Sequence, residues 1–504
     1  QSNNLESYIN GKPKKVFMMI GTNDIATSGG LNFSGEQVLQ YIKSIVARIH
    51  ARSPQTKVYL YSILNNRTNN RVEATWLHTN KIIKEYVESK NDERVKYIDL
   101  YDKLTGIAQG GVWSYDYLHL TAAAYKVWCE SICEYLAEGE NYTVKTVYPD
   151  NTADMQNRGG IANNSNGMRA TYFSMLPVST NDVLVFGDEF IKNGEWQELL
   201  GNSNVKNRGT GWGYGGDIAT TNGLVDATYA NTGVTKENAK AIFIYTGTDD
   251  CNGSTNIETI KNSYKALVDK VSQKSPASKI YLMALCPTNN ASNNTSRIAV
   301  LNNYMKSIAT GNIRYVDTYT PFLNGNVANT KYFYPSNYLG GLGYVVMANA
   351  MKDALKADFP ADTYTAISEA DAEVRYAQAT LRNTLSQVIA RGLIMERGEA
   401  MGQYDPEKMK AFDAELENAY ALLAKESITE NEVQAMAGKL NEVLLQAIAM
   451  PKASTAENEY WYQITSLRSP NLFISAEGEA TGVVGKENTG ASMGTSVVCT
   501  LLMT

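Results

Sequence analysis

Two stretches of this chain are versions of one phrase: Val16-Phe17-Met18-Met19-Ile20-Gly21-Thr22-Asn23-Asp24, and Ala241-Ile242-Phe243-Ile244-Tyr245-Thr246-Gly247-Thr248-Asp249-Asp250. Each is an apolar run that stops abruptly on glycine and small polar or acidic residues. Such a run reads as a buried strand whose carboxyl end opens into a polar loop, which is where open α/β sheets place their chemistry. The flanks repeat as well. Ser53-Pro54 recurs as Ser275-Pro276, the strand-like Lys57 to Ile63 as Lys279 to Leu285, and Tyr97-Ile98-Asp99 as Tyr315-Val316-Asp317. The chain therefore carries two copies of one domain, and the copies are unequal.

In the first copy, Ser34-Gly35-Glu36-Gln37 has the pattern of a capping box, and Val38, Ile42, Ile45 and Ile49 follow at three- and four-residue spacing, which predicts an amphipathic helix. Ser53-Pro54 ends it. Lys57 to Ile63 reads as a strand, Val72 to Val87 as a helix, Val95 to Leu100 as a short strand and Tyr125 to Leu136 as a closing helix. Strict alternation of strand and helix predicts a parallel sheet with helices on both faces, a flavodoxin-like three-layer α/β/α domain.

The chain has only three histidines. His50 and His78 fall within helical patterns, where a packed or solvated imidazole suffices. His119 follows Asp116 by three residues in an aromatic loop just ahead of the closing helix. A neutral imidazole can take a hydroxyl proton near pH 7, and an adjacent carboxylate fixes its tautomer and stabilises the imidazolium. Asn23 suits a tight turn, and its amide could equally donate to a developing oxyanion. Asp24 reads as a residue that holds the loop.

Taken together, Gly21-Thr22-Asn23-Asp24 and Asp116-Tyr117-Leu118-His119-Leu120 resemble the SGNH (GDSL) hydrolase family. Its hydrolases cleave esters with a serine nucleophile, a glycine and an asparagine that hold the oxyanion, and a D-x-x-H pair that activates the serine. The resemblance implies Asn23 as oxyanion donor, Gly21 as the residue that lets the backbone come close, and His119 with Asp116 as base and orienting acid. It implies hydrolysis of acyl or acetyl esters, with a small-molecule or glycan ester as substrate, and no metal or organic cofactor. Two of the four family blocks lie in the first copy. Carrying the separation of Glu189 from Gly247 back to Gly21 places the corresponding serine ahead of Gln1. The first copy is then expected to lack its first strand and its nucleophile, to leave a sheet edge uncovered, and to be inactive as it stands.

In the second copy a strand from Asp182 to Phe186 runs into Gly187-Asp188-Glu189-Phe190, so Glu189 stands where the resemblance expects the serine. Asp249 replaces the oxyanion asparagine, and an anion there repels the charge it should stabilise. Counting back from Tyr344, which matches Tyr125, puts the D-x-x-H positions on Pro335 and Tyr338; no histidine follows His119. Gly211 and Gly216 both fit the family's glycine block. Retained core with lost chemistry describes a degenerate, pseudo-enzyme domain. Trp212, Tyr214, Tyr334 and Tyr338 suit stacking on a sugar face, so a non-catalytic glycan-binding or scaffolding protein is the rival reading.

Beyond these copies, Ser368-Glu369-Ala370-Asp371 opens a helix with Val374, Ala377, Leu381, Leu385 and Val388 on one face. Asp405-Pro406 starts a second with Met409, Phe412, Leu416 and Leu423, and Thr429-Glu430-Asn431-Glu432 caps a third with Val433, Met436, Leu440, Val443 and Ala447. Three capped amphipathic helices predict a small bundle, which resembles helical spacers of secreted bacterial surface proteins; secretion, or a periplasmic or cell-surface place, is the expectation. From Tyr460 the period becomes β: Tyr460 to Ile464 and Asn471 to Ile474, with a turn at Ser469-Pro470, read as the opening of a β-rich, lectin-like module. The expected organisation is a hydrolase domain over 1–145, a linker over 146–180, the degenerate domain over 181–362, the bundle over 363–452 and an incomplete β module over 453–504, the whole being a piece of a longer protein. A net charge of −6 argues against nucleic-acid or anionic-membrane partners, and no apolar run approaches the roughly 20 residues of a membrane span. Five cysteines without metal-site spacing read as buried free thiols.

Overall fold

The computed structural model describes residues 5, 9, 12–25, 32–64, 70–104, 119–136, 169, 173, 176–210, 218–230, 238–334, 338–398, 403–447, 465–466, 469–476 and 483–487. The chain divides into two compact units, 1–394 with 418–437, and 395–417 with 438–504.

The first α/β domain runs β1 (Lys15–Met18), α1 (Thr22–Ile25), α2 (Gly35–Arg52), β2 (Lys57–Tyr61), α3 (Asn70–Lys90), β3 (Val95–Ile98), α4 (Leu100–Lys103) and α5 (Ala122–Leu136). The strands form a parallel sheet in the order β1-β2-β3, with Phe17 beside Tyr59 and Leu60 beside Tyr97. The expected capping box starts α2: Ser34 Oγ accepts from Gln37 N at 3.3 Å, and Gln37 Oε1 accepts from Ser34 N at 2.9 Å. Alternation along β2 then sorts the two faces. Val58 and Leu60 pack with Val38, Ile42, Ile49, Trp76 and Ile83 of α2 and α3. Tyr59 and Tyr61 face the other way, with Leu120 and Ala124, and with Trp128 and Ile132 of α5 packed against them. The expected three layers are present. Leu100, read as the end of a strand, instead opens α4, because Asp99 Oδ1 accepts from Asp102 N at 3.1 Å and caps a helical turn.

The second domain contains β4 (Val183–Gly187), α6 (Glu189–Lys192), α7 (Trp196–Leu200), β5 (Val205–Gly209), α8 (Ile218–Ala230), β6 (Ala241–Tyr245), α9 (Thr248–Asn252), α10 (Ile257–Lys274), β7 (Lys279–Met283), α11 (Ala299–Ile308), β8 (Ile313–Val316), the short pair β9 (Leu323–Asn324) and β10 (Val327–Ala328), and α12 (Gly341–Asp358). Its parallel sheet has the order β5-β4-β6-β7-β8. Renumbered from β4, that order is 2-1-3-4-5, the flavodoxin-like arrangement, whose strand order reverses between β4 and β6. Both strands are buried at every position, as helices on both faces require.

The three strands of the first domain correspond to β6, β7 and β8. Phe17 stacks on Tyr59 at 4.6 Å between ring centroids, and Phe243 on Tyr281 at 4.5 Å. A second repeated feature escaped the sequence reading. Asn80 Oδ1 accepts from Ile63 N at 2.8 Å while its amide donates to Ile63 O at 2.9 Å, and Asn302 holds Leu285 in the same way, at 2.8 and 3.0 Å. Each carboxamide clamps both backbone groups of a residue that has just left the sheet. The recurrence of asparagine at the same distance from that residue in both copies was the available signal.

The three expected helices are α13 (Glu369–Leu393), α14 (Pro406–Ala424) and α15 (Glu430–Ala447). Ser368 Oγ caps α13 by accepting from Asp371 N at 3.3 Å, and Thr429 and Glu432 form a capping box at 3.3 and 2.9 Å. The buried face of α13 differs from the expected stripe. Val374 is 60% exposed and Ala377 is exposed, whereas Ala379, Arg382, Asn383, Leu385, Ser386 and Ile389 are buried. Polar contacts rotate the face. Arg382 Nη2 donates to Lys425 O and Glu426 O at 2.7 and 2.8 Å, and Asn383 Oδ1 accepts from the buried Arg48 of α2. In the second unit Met409, Phe412, Leu440 and Leu444 are buried, and β11 (Thr465–Ser466), β12 (Ser469–Ala476) and β13 (Val483–Glu487) form an antiparallel sheet. Ser469-Pro470, read as a turn, belongs to β12. The ladder is irregular between Thr465 and Ser466, which pair with Phe473 and Ser469, so Pro470 falls where no regular N–H donor is demanded. The Tyr460–Ile464 strand lies outside the described residues. Among the described residues, Cys129, Cys133, Cys251 and Cys286 form no disulfide, the last three being buried as expected and Cys129 only half-buried, and no helix is long and apolar enough to cross a membrane.

Candidate functional site

Beyond β1 the chain passes through Met19 and Ile20 to Gly21, whose φ is +116°. That value belongs to glycine, and a Cβ here would lie 2.7 Å from Ile63 Cδ1. The Gly21 carbonyl accepts from Asp24 N and Ile25 N, both at 3.1 Å. The result is the single turn α1, which carries Asn23 on its exposed side at the carboxyl end of β1. Gly247, φ +110°, repeats the arrangement, its carbonyl accepting from Cys251 N at 2.9 Å. Asp249 then occupies the exposed place of Asn23.

His119 is exposed, on the bend that leads into α5. The next residue, Leu120, is buried in the cluster of Tyr61, Leu64, Ile98 and Leu100, at the carboxyl ends of β2 and β3. Asn23 and His119 thus share the carboxyl edge of one sheet. Asp116 lies outside the described residues. The other histidines have local partners: His50 Nε2 is 3.1 Å from Thr56 O, and burial pushes its pKa down; His78 Nε2 is 2.6 Å from Glu36 Oε1 at the surface.

In the second domain Asp188 caps α6, its Oδ1 accepting from Phe190 N at 2.9 Å, and its Oδ2 accepts from Thr248 Oγ1 at 2.9 Å. The β4 loop and the Gly247 turn are therefore joined across the point where strand order reverses. Glu189 is the first residue of α6 and is half-buried. Tyr344 Oη donates to Phe190 O at 2.9 Å, which fixes the first turn of α12 beside α6. Tyr338 is exposed just ahead of α12. Glu189, Asp249 and Tyr338 consequently gather at one end of the domain. Gly211, Gly216, Trp212, Tyr214 and Pro335 lie outside the described residues.

The sequence singles out Asp188 only as an acid after glycine. Burial pushes its carboxyl up to about 8, against the lowering effect of the Thr248 and Phe190 hydrogen bonds and with Asp249 and Glu189 adding in the upward direction. A raised carboxyl is a pH-dependent liability. Below about pH 4 the group is protonated in folded and unfolded chain alike. As pH rises from there to about 8 the unfolded chain gives up the proton first, so the stability this group contributes falls through that window. Asp188→Asn, neutral throughout, is expected to match the parent near pH 4 and to exceed it by on the order of a few kcal/mol above pH 8. Urea unfolding at both pH values checks this; a difference between the two proteins that does not change with pH would refute it.

The GDSL-like lipase/acylhydrolase family matches residues 4–127 and 186–345. No curated protein matches the chain. Among solved structures, a candidate platelet activating factor from Streptococcus pneumonia is 20% identical, with a TM-score of 0.32, covering 37% of this chain and 91% of that one. The OSK domain of Drosophila Oskar is 14% identical with a TM-score of 0.27, covering 36% and 92% of the respective chains. The periplasmic domain of a lipopolysaccharide acetyltransferase from Salmonella ser. Paratyphi A is 11% identical with a TM-score of 0.26, covering 36% and 85%. With the two matched segments falling on the two α/β domains and together spanning more than half of the sequence, this chain belongs to the GDSL-like lipase/acylhydrolase family.

Proposed function

We propose that the protein is a serine esterase whose first domain carries the hydrolytic chemistry, acting on acyl or acetyl esters borne by carbohydrates, and that its second domain is non-catalytic. The observation that carries this reading is the Gly21 turn. It repeats the Gly247 turn in backbone conformation, but presents a carboxamide where the second domain presents a carboxylate. Only the carboxamide can donate to a developing oxyanion.

In the proposed reaction His119 takes the proton of a serine hydroxyl as that oxygen attacks the ester carbonyl, and Asn23 donates to the oxyanion. The imidazolium returns its proton to the leaving alcohol. Water, deprotonated by His119, then releases the acid and regenerates the serine. Asp116 orients the imidazole. The serine is required of a strand that the register of the two copies puts ahead of Gln1. In the second domain neither Glu189 nor Tyr338 offers an equivalent base and nucleophile.

The test is hydrolysis of p-nitrophenyl acetate and longer acyl esters by a chain that includes the serine strand. Turnover is expected there and is expected to be unchanged in Glu189→Gln and Asp249→Asn. Absence of turnover, or its loss in those two variants, would overturn the assignment.

A further inference from the structure

Phe333 and Leu339 form an antiparallel bridge and are buried, 8% and 5% exposed. One step further out, Tyr334 N donates to Tyr338 O at 2.8 Å. Residues opposite one another in such a ladder share a face, and successive residues alternate. Tyr334 and Tyr338 therefore stand side by side on the face turned away from the core, 62% and 45% exposed. The base of this hairpin is braced. Gly340 N donates to Tyr332 O at 2.8 Å, Tyr332 Oη lies 3.1 Å from Glu369 Oε2, and Lys331 Nζ lies 2.8 Å from the same carboxylate. Two exposed aromatic side chains carried on one face above this braced base lose little freedom when something settles on them.

The hairpin leads directly into α12, whose first turn is tied to Phe190 O by Tyr344, next to Glu189. The tyrosine pair thus belongs to the carboxyl end of the sheet, where ligands of open α/β folds bind. We propose that Tyr334 and Tyr338 form a stacking platform for a neutral carbohydrate, whose hydroxyls find acceptors in Glu189 and Asp249. Tyrosine suits the C–H face of a sugar because its ring is apolar and its hydroxyl remains a hydrogen-bonding group. The carboxylates select against anionic glycans, and the chain's net charge of −6 acts in the same direction. This binding does not depend on whether the first domain hydrolyses esters.

The experiment is native affinity electrophoresis of the whole chain through gels containing arabinoxylan, glucomannan, mixed-linkage β-glucan or the anionic polygalacturonate. Retardation is expected with at least one neutral polysaccharide and not with polygalacturonate. Tyr334→Ala and Tyr338→Ala should each weaken it about tenfold, and Tyr338→Phe should retain most of it. Both side chains are exposed, so the variants are expected to keep the parent's unfolding temperature. No retardation by any of the three neutral polymers, stronger retardation by polygalacturonate, or unchanged retardation in the doubly substituted chain would each overturn the proposal.

Discussion

His119→Ala, in a chain that carries the serine strand, is expected to lower kcat for ester hydrolysis by about four orders of magnitude or more. A serine hydroxyl without a base is almost fully protonated at neutral pH, so the loss falls on the chemical step and leaves KM little changed. His119 is exposed on a bend, and its removal should not disturb the core. His50→Ala and His78→Ala are the internal controls. One imidazole is bound to Thr56 O and the other to Glu36, and neither change should alter turnover. Asp116→Asn should cost no more than His119→Ala, because it spoils the tautomer while leaving the base in place. Turnover like that of the parent in His119→Ala would mean that Asp116-Tyr117-Leu118-His119 is a coincidence of loop composition. The non-catalytic reading would then take precedence.

Some of this architecture was legible in the residues because local chemistry and global fold agree there. The Ser34 and Thr429 caps, the buried strands of the second domain and the two glycine turns are each specified within a few residues and form as expected, whereas β1, read as a fully buried strand, stops at Met18, is half-buried at the edge of its sheet and leaves Ile20 exposed. The drift of the second domain was legible for the same reason, since Glu189 and Asp249 are read off by register alone. What the pattern missed depends on residues remote in the chain. The face of α13 is turned by Arg382 reaching the carbonyls of Lys425 and Glu426, and no helical periodicity contains that information. Nothing in the residues around Asp188 shows that the neighbouring structure buries it and so raises its pKa.

The buried carboxamide clamps lead to the second large effect. Asn302→Ala should destabilise the second domain by about 2 to 6 kcal/mol. Leu285 lies two residues beyond β7, and both its N–H and its C=O depend on Asn302. Leu285 is 0% exposed and Asn302 3%, so truncation leaves one buried donor and one buried acceptor unmet, each at about 1 to 3 kcal/mol. Asn302→Asp separates the two bonds. A carboxylate still accepts from Leu285 N but turns a second oxygen toward Leu285 O, whereas the protonated acid can donate to it. The folded-state pKa of that acid should therefore be raised, and stability present below about pH 4 should be lost as pH rises through the raised value. Hydrogen exchange of the β6 and β7 amides at two pH values measures both effects within this domain. Protection in Asn302→Ala within about 0.5 kcal/mol of the parent would refute the argument. The equivalent clamp in the first domain bears on the proposed site. Asn80 clamps Ile63, and Ile63 Cδ1 is the atom that lies 2.7 Å from where a Cβ on Gly21 would be. Asn80→Ala should consequently loosen the seat of the Gly21 turn and lower kcat by misplacing Asn23, although Asn80 itself touches no reacting atom.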